Sequence, residues 1–294
     1  MSSPAVQPLL CLLAYPVGGN PTQYLVERVF AQNDLDWRYL TFEVRPEDLG
    51  DAVRGLRALG FRGGHCATPH KQTILPFLDR ITDKAALIGG VNLFFRDGEA
   101  LVGENTEGRG LVEAIRAVRG APAEARDEKA TWATGKQAVL LGAGQLARAV
   151  AVELAAAGAT GLTIVNRTEA KAAELAALLA DKFGLSVSTP AWSDDYAVPP
   201  EADLLIHATS LEQDAAEVPL HLSVESLRPE LIVADATAGV RQTWLLDQAA
   251  ARGCRTVDGL AIFLEQVAAG LRLWTGVDPK RQLLSEAAEE FLGL

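Results

Sequence analysis

Short apolar runs bounded by turn residues alternate along this chain with longer stretches whose apolar positions recur every three or four residues. Leu9–Ala14 is the first run and predicts a strand; Gly18-Gly19-Asn20-Pro21 leads from it to a predicted helix over Thr22–Gln32. Residues 39–44 predict a second strand, followed by a helix from Pro46 or Glu47 to Leu59. Beyond Phe61-Arg62-Gly63-Gly64, Cys66-Ala67-Thr68 predicts a third strand, then a helix from near His70 toward Leu78 and a short one around residues 83–87. Residues 91–95 and 100–102 flank Asp97-Gly98, a hairpin pattern. Residues 111–118 predict a connecting helix, and residues 120–136, rich in Ala, Pro and charge without periodicity, predict a domain boundary. Three-residue and longer apolar runs at 139–141, 162–165, 203–207 and 231–235 have central-strand character, residues 188–200 are the least structured connection, and helical patterns over 261–274 and 279–292 close the chain. The alternation argues an α/β fold in two domains.

The stretch that carries most information is Val139-Leu140-Leu141-Gly142-Ala143-Gly144-Gln145-Leu146-Ala147, a strand, a Gly-x-Gly-x-x-Ala turn and then an Ala-rich helix. In that context the first Gly makes the tight turn, the second lets the backbone approach a pyrophosphate, and the small third residue lets helix and strand pack closely. The pyrophosphate rests on the free N–H groups of the helix start. The next strand ends at Asn166-Arg167-Thr168. Where an NAD-selective chain carries an acid for the ribose 2′-hydroxyl, Arg167 suits the 2′-phosphate of NADP, and Lys171 lies four residues on, on the same helical face. Both are cations at a helix start, where they oppose the macrodipole, so a phosphate explains them better than a solvated surface does.

Composition narrows the remaining choices. The 294 residues are enough for two domains, and the net charge of −11 without a basic block argues against nucleic acid or an anionic membrane as partner. Cys11, Cys66 and Cys254 are scattered, which favours a reducing cytoplasm. The N-terminus lacks the leader of a signal peptide, and Leu9–Ala14 is too short to span a bilayer. His65, Cys66 and His70 do not make a metal site: alternate strand residues point to opposite faces and a fourth ligand is missing. His207 and His221 read as core or surface residues.

Several short motifs in fixed order give the chain a resemblance to the shikimate dehydrogenase family over nearly its whole length. They are Gly19-Asn20-Pro21, Thr68-Pro69-His70-Lys71, Gly90-Val91-Asn92, Glu104-Asn105-Thr106-Glu107-Gly108, Gly142-Ala143-Gly144, Asn166-Arg167-Thr168, Ala208-Thr209-Ser210, and Asp258-Gly259-Leu260 with Gln266 beyond. The resemblance implies a substrate domain over residues 1–118, completed by 259–294 as the final helices return to it, and a Rossmann-type NADP-binding domain over 119–258. It places the active site in the cleft between the domains. Lys71 matches the family's catalytic lysine and Glu107 its acidic partner, a pair suited to exchanging a proton with a hydroxyl or ketone oxygen. Glu107 also suits a plain helix-start role ahead of residues 111–118. Asn92, Thr106 and Gln266 match residues that bind substrate hydroxyls. The implied cofactor contacts are Gly142, Ala143, Gly144, Gln145, Leu146, Ala147, Asn166, Arg167, Thr168, Lys171, Ala208, Thr209, Ser210 and Gly259.

The departures from the family pattern fall on one half of the site. Where the family carries a serine pair for the substrate carboxylate, this chain has Asn20-Pro21-Thr22-Gln23-Tyr24, leaving Thr22, Gln23 and Tyr24 as donors. Ala67 replaces a substrate-binding threonine, His65 an asparagine, Ala238 a tyrosine, and Glu107 is one methylene longer than the family's aspartate. A shift of about 1 Å in a catalytic group can cost about a hundredfold in rate. The expectation is therefore an NADP-dependent dehydrogenase, monomeric or homodimeric, acting on 3-dehydroshikimate, a related polyol acid or something less acidic, with weak activity on shikimate itself. The alternative is an NADP-binding protein with another substrate or a non-catalytic regulatory role. A methylene-tetrahydrofolate or glutamyl-tRNA type of reductase is disfavoured by the substrate-side motifs.

Overall fold

The computed structural model describes residues 6–120, 132–192, 195–209, 220–237 and 241–294. Ser210 and Ala238 lie outside the described residues, as does most of the predicted boundary segment. The chain forms two compact units, one of residues up to Thr106 together with Gln266–Leu294, the other Glu107–Glu265.

The first unit opens with β1 (Leu9–Ala14) and α1 (Thr22–Gln32), then β2 (Arg38–Glu43), α2 (Leu49–Ala58), β3 (Gly63–Cys66), α3 (His70–Thr73), β4 (Arg80–Ile81), α4 (Asp83–Ile88), β5 (Leu93–Asp97) and β6 (Ala100–Glu104). Its sheet runs β2-β1-β3-β5-β6-β4. Strands β1, β2 and β3 are parallel, while β5 pairs antiparallel with both β3 and β6. The third strand is Gly63–Cys66, earlier than the pattern of 66–68 suggests. Its two glycines carry no apolar signal, yet they are what the sheet needs: a Cβ at Gly63 would strike the Phe94 carbonyl, and one at Gly64 the Cys11 carbonyl. The helix expected from His70 toward Leu78 is a single α turn and a 3-10 turn at Leu75–Phe77, because Pro76 has no N–H to continue the ladder. The hairpin pairs Asp97 with Ala100, so the strands are longer than the apolar runs alone indicate.

The second unit contains α5 (Glu107–Val118), β7 (Gln137–Leu141), α6 (Gln145–Ala156), β8 (Gly161–Val165), α7 (Glu169–Phe183), β9 (Ser186–Ser188), β10 (Leu204–His207), β11 (Ile232–Asp235), α8 (Trp244–Ala251) and β12 (Arg255–Val257). All six strands are parallel, in the order β12-β11-β10-β7-β8-β9. Counted from β7 as the first strand, that is the 3-2-1-4-5-6 order of dinucleotide-binding sheets, with its switch point between β7 and β10. The apolar runs of β7, β10 and β11 are buried on both faces, as a covered parallel sheet requires. Helix α5 packs against α6, β11 and β12 and so belongs with this unit. The division therefore falls at Thr106, ahead of the connection near Gly120 where composition changes.

The chain ends in α9 (Gly259–Thr275) and α10 (Arg281–Leu292), and from Gln266 onward these residues belong to the first unit. Trp274 Nε1 donates to the Phe94 carbonyl at 2.9 Å, and α10 packs on α1. Among the described residues no helix is long and apolar enough to cross a membrane.

Candidate active site

In the first unit the candidate groups gather at the end of the sheet where β1 and β3 finish. The chain leaves β3 and turns through Ala67, whose N–H donates to Leu13 O at 2.9 Å, into the single turn of α3 that carries Lys71. Val91 N–H donates to the Lys71 carbonyl at 2.7 Å, and Cys66 N–H to the Asn92 carbonyl at 2.8 Å, which ties the loop before β5 to this turn. Asn92 and Thr106 are both buried and hold each other. Asn92 Oδ1 accepts the Thr106 N–H at 2.8 Å, and Asn92 Nδ2 donates to Thr106 Oγ1 at 3.0 Å. That mutual bonding fixes the two polar side chains as a rigid pair, the preorganisation that hydroxyl recognition uses. Lys71 is half-buried in the same unit.

The donors proposed in place of a serine pair separate. Thr22 is buried at the start of α1. Gln23 Oε1 accepts the Thr41 N–H at 3.0 Å, which ties that side chain to β2. Tyr24 faces α10: its ring lies 5.8 Å from that of Phe291, and its hydroxyl bonds Glu290, which raises its pKa above the ordinary phenol value. Consecutive helix residues diverge by about 100°, so a run of three donors in sequence does not become a cluster.

His65 and His70, singled out by type, are structural groups with separate partners. His70 Nε2 bonds the Val44 carbonyl at 2.8 Å. His65 Nδ1 pairs with the buried Tyr39 hydroxyl at 2.7 Å, its ring stands edge-on to Trp274 at 4.8 Å, and burial lowers its pKa to about 3. It is therefore neutral at physiological pH.

In the second unit the glycine turn sits at the switch point. Gly142 has φ +120°, and a Cβ there would lie 2.6 Å from the Ala208 carbonyl oxygen and 3.2 Å from Thr209 N, so only glycine fits between the ends of β7 and β10. Gly144 is different: its φ of −83° suits any residue, and nothing lies within 4 Å of the place its Cβ would take. Helix α6 begins directly after it, at Gln145. Ala147 is fully buried, as close packing of the helix requires. A cleft lined by Ala143, Gly144, Gln145, Arg148, Lys171, Glu174 and Leu175 opens from this turn.

These residues fit a dinucleotide: open space at Gly144 ahead of the amides that start α6 takes a pyrophosphate, and the cations beside it suit a further phosphate. Lys171 lines the cleft and Arg167 is exposed at the end of β8. Asn166 bonds locally, its Nδ2 donating to Thr168 O at 2.8 Å. Gly259 opens α9, where Asp258 Oδ1 accepts the Ala261 N–H at 2.7 Å. Arg148, passed over in the sequence, also lines the cleft and pairs with Glu174 at 3.1 Å; its position three residues into α6 was the available signal. Glu107 is buried at the first position of α5.

A doubly wound parallel sheet with this turn, joined to a second α/β unit carrying a lysine and a fixed Asn–Thr pair, defines a nicotinamide-dependent oxidoreductase. Residues 12–94 match the family model for the shikimate dehydrogenase substrate binding domain, and residues 124–219 the model for shikimate / quinate 5-dehydrogenase. The chain is 36% identical to the shikimate dehydrogenase (NADP(+)) of Desulforamulus reducens over 93% of each chain. Among solved structures it resembles the ligand-free 5-ketofructose reductase of Gluconobacter sp. strain CHM43, with TM-score 0.88 and 36% identity over 98% of this chain and 99% of that one. It also resembles the shikimate 5-dehydrogenase of Thermus thermophilus in complex with NADP(H) and shikimate, with TM-score 0.77 and 30% identity over 97% of this chain and all of that one. The chain belongs to the shikimate dehydrogenase family.

Proposed function

We propose that this chain catalyses reversible hydride transfer between NADPH and the ketone of a cyclic keto acid, 3-dehydroshikimate or a related polyol acid, with Lys71 and Glu107 handling the proton. The relative named shikimate dehydrogenase (NADP(+)), matched at 36% over 93% of the chain, supports the activity. The observation that carries the reading is the joint presence of the glycine turn, open at Gly144, in one unit and the Lys71 turn with its Asn92–Thr106 pair in the other. NADP, when bound, supplies or accepts the hydride. The chain's own residues do the rest. The α6 amides, with Gly144 leaving room, would hold the pyrophosphate, and Arg167 and Lys171 would hold the 2′-phosphate. Asn92, Thr106 and Gln266 orient substrate hydroxyls. Lys71 would give its ammonium proton to the substrate oxygen as the carbonyl is reduced, becoming a neutral amine, and Glu107 would be the acid–base group through which it regains the proton. Residues up to Thr106 with Gln266–Leu294 act as substrate domain, the rest as nucleotide domain. Cys11, Cys66 and Cys254 are buried thiols rather than disulfides, which favours the cytoplasm, and the partner is a small molecule taken up by a monomer or homodimer.

A second reading is favoured by the tethering of Gln23 and Tyr24 and by the similarity to a 5-ketofructose reductase: a neutral polyhydroxy ketone replaces the acid. NADPH absorbance with 3-dehydroshikimate and with 5-ketofructose, and NADP⁺ reduction with shikimate, decide between them. Turnover of 3-dehydroshikimate that Lys71→Met lowers at least about a thousandfold, with NADP⁺ binding intact, is expected from the loss of a proton donor. Turnover of 5-ketofructose alone establishes the second reading. Binding of NADP⁺ with no turnover of either refutes both and leaves a non-catalytic role.

A further inference from the structure

The first unit has a second concave site, at the end of its sheet away from Lys71. Lys71 follows the C-terminal end of β3, whereas this cavity gathers residues that precede the strands: Pro8 before β1, Trp37 before β2 and Arg62 before β3. The antiparallel β5 reaches the same end, where Phe95 pairs with Gly63 and the Arg96 N–H donates to Arg62 O at 2.9 Å. The last turn of α9 adds Leu273 and Trp274. The cavity measures about 260 Å³. That is below the roughly 300–1,000 Å³ of sites for drug-sized ligands, so it admits one small molecule.

Its aromatic side is held in place. Trp274 Nε1 donates to Phe94 O at 2.9 Å, and a Cβ at Gly63 would lie 2.5 Å from that nitrogen, so the glycine is what lets the indole lie against the sheet. The edge-on ring of His65, at 4.8 Å, backs the same indole, and Trp37 leans on Phe30 at 6.1 Å. Two indoles already fixed offer stacking surface at little entropy cost. The polar side is cationic. Arg96 spends Nε and Nη2 on neutral carbonyls, Phe61 O at 2.7 Å and Arg57 O at 2.6 Å, while Asp79, the carboxylate within its field, is held by Arg57 at 2.7 Å. Arg62 is exposed and makes no ion pair or side-chain hydrogen bond among the described residues. Net charge is −11, and Arg57, Arg80 and Arg148 each hold a carboxylate. Two arginines that hold none, beside an aromatic wall, select an anion with a ring.

We propose that this cavity binds one small aromatic carboxylate, its ring against Trp37 and Trp274 and its carboxylate on Arg62 and Arg96. The site shares no residue with the proposed dinucleotide and proton-transfer groups, so its test does not depend on turnover. Calorimetric titration of the full chain with indole-3-acetate should give saturable one-to-one binding at millimolar or tighter affinity. Indole-3-ethanol has the ring without the charge, and acetate the charge without the ring; each should bind at least about tenfold more weakly. Two variants at exposed positions report on the place. Arg62→Gln removes a cation, and Leu273→Glu, at a side chain 44% exposed, sets a carboxylate in the wall. Each should weaken indole-3-acetate by about tenfold while the thermal melt stays that of wild type. Saturating NADP⁺ with shikimate should leave the affinity unchanged. The proposal is overturned by no saturable binding, by equal affinity for indole-3-ethanol, by full affinity in either variant, or by displacement with NADP⁺ and shikimate.

Discussion

Substituting alanine for glycine at two positions of the same turn should have opposite effects on stability, and the pair tests where the pyrophosphate sits. At Gly144 the backbone, with φ −83° and ψ −171°, is in the extended region open to any L residue, and an added Cβ meets nothing within 4 Å. The native state loses nothing, and the unfolded chain loses freedom, a stabilisation of about 0.4–1 kcal/mol, or about 1–4 °C in Tm for a chain of this size. The same methyl group occupies the space that lets the α6 amides reach an anion. Losing two charge-assisted hydrogen bonds at about 1.5–3 kcal/mol each weakens NADP⁺ binding at least about a hundredfold. At Gly142 the φ of +120° strains any other residue, by about 1–3 kcal/mol, and the clash with Ala208 O at 2.6 Å adds a similar amount. Gly142→Ala should therefore lower Tm by about 5–20 °C. Thermal melts of the apo protein and calorimetric titration with NADP⁺ give both readouts. A Gly144→Ala protein that binds NADP⁺ within threefold of wild type refutes the placement of the pyrophosphate on this turn.

Two further perturbations address cofactor choice and the buried histidine. Arg167→Ala and Lys171→Ala should each raise KM for NADP⁺ by about tenfold or more and leave KM for NAD⁺ unchanged, since each removes a cation that only the 2′-phosphate needs; equal rises for both cofactors would show a general effect on the turn. His65, with its pKa lowered by burial to about 3 against about 6.5 unfolded, takes up a proton in the unfolded state first as pH falls. Its neutrality contributes stability above pH 6.5 that is lost toward pH 3, at about 1.4 kcal/mol per pH unit. Urea melts at pH 7 and pH 5 should show wild type losing about 2 kcal/mol more than His65→Gln between those values. Parallel losses in the two proteins would mean that His65 titrates normally.

Much of the site was legible because it is built from contiguous residues whose backbone is the functional part. Gly142 through Ala147 announce a turn between strand and helix, and the structure supplies that turn at the switch point of a parallel sheet. Residues such as Asn92 and Thr106 could be named but not paired, since their bonds cross fourteen positions of chain. Proximity in sequence says little about direction: Gln23 and Tyr24 are neighbours, and helix geometry turns Gln23 to β2 and Tyr24 to α10. The third strand was hidden because Gly63 and Gly64 have no hydrophobic signature, their value lying in what a side chain would obstruct. Arg148 and His207 carry no motif at all, and only the cleft and the network around them give them meaning.

The sequence by itself determined the elements whose driving force is local: apolar runs long enough for central strands, helix periodicity in α1, α9 and α10, and a glycine pattern that few backbones other than a phosphate-binding turn require. It also pointed to NADP, through Arg167 and Lys171, two cations just beyond the end of a strand. Only the tertiary structure decided that α5 belongs with the nucleotide-binding sheet, that Tyr24 is turned to α10, and that His207 links Asp235 to Thr209. Those outcomes depend on which surfaces meet when distant segments pack, a competition among burial, hydrogen bonding and close approach that no single stretch of chain encodes.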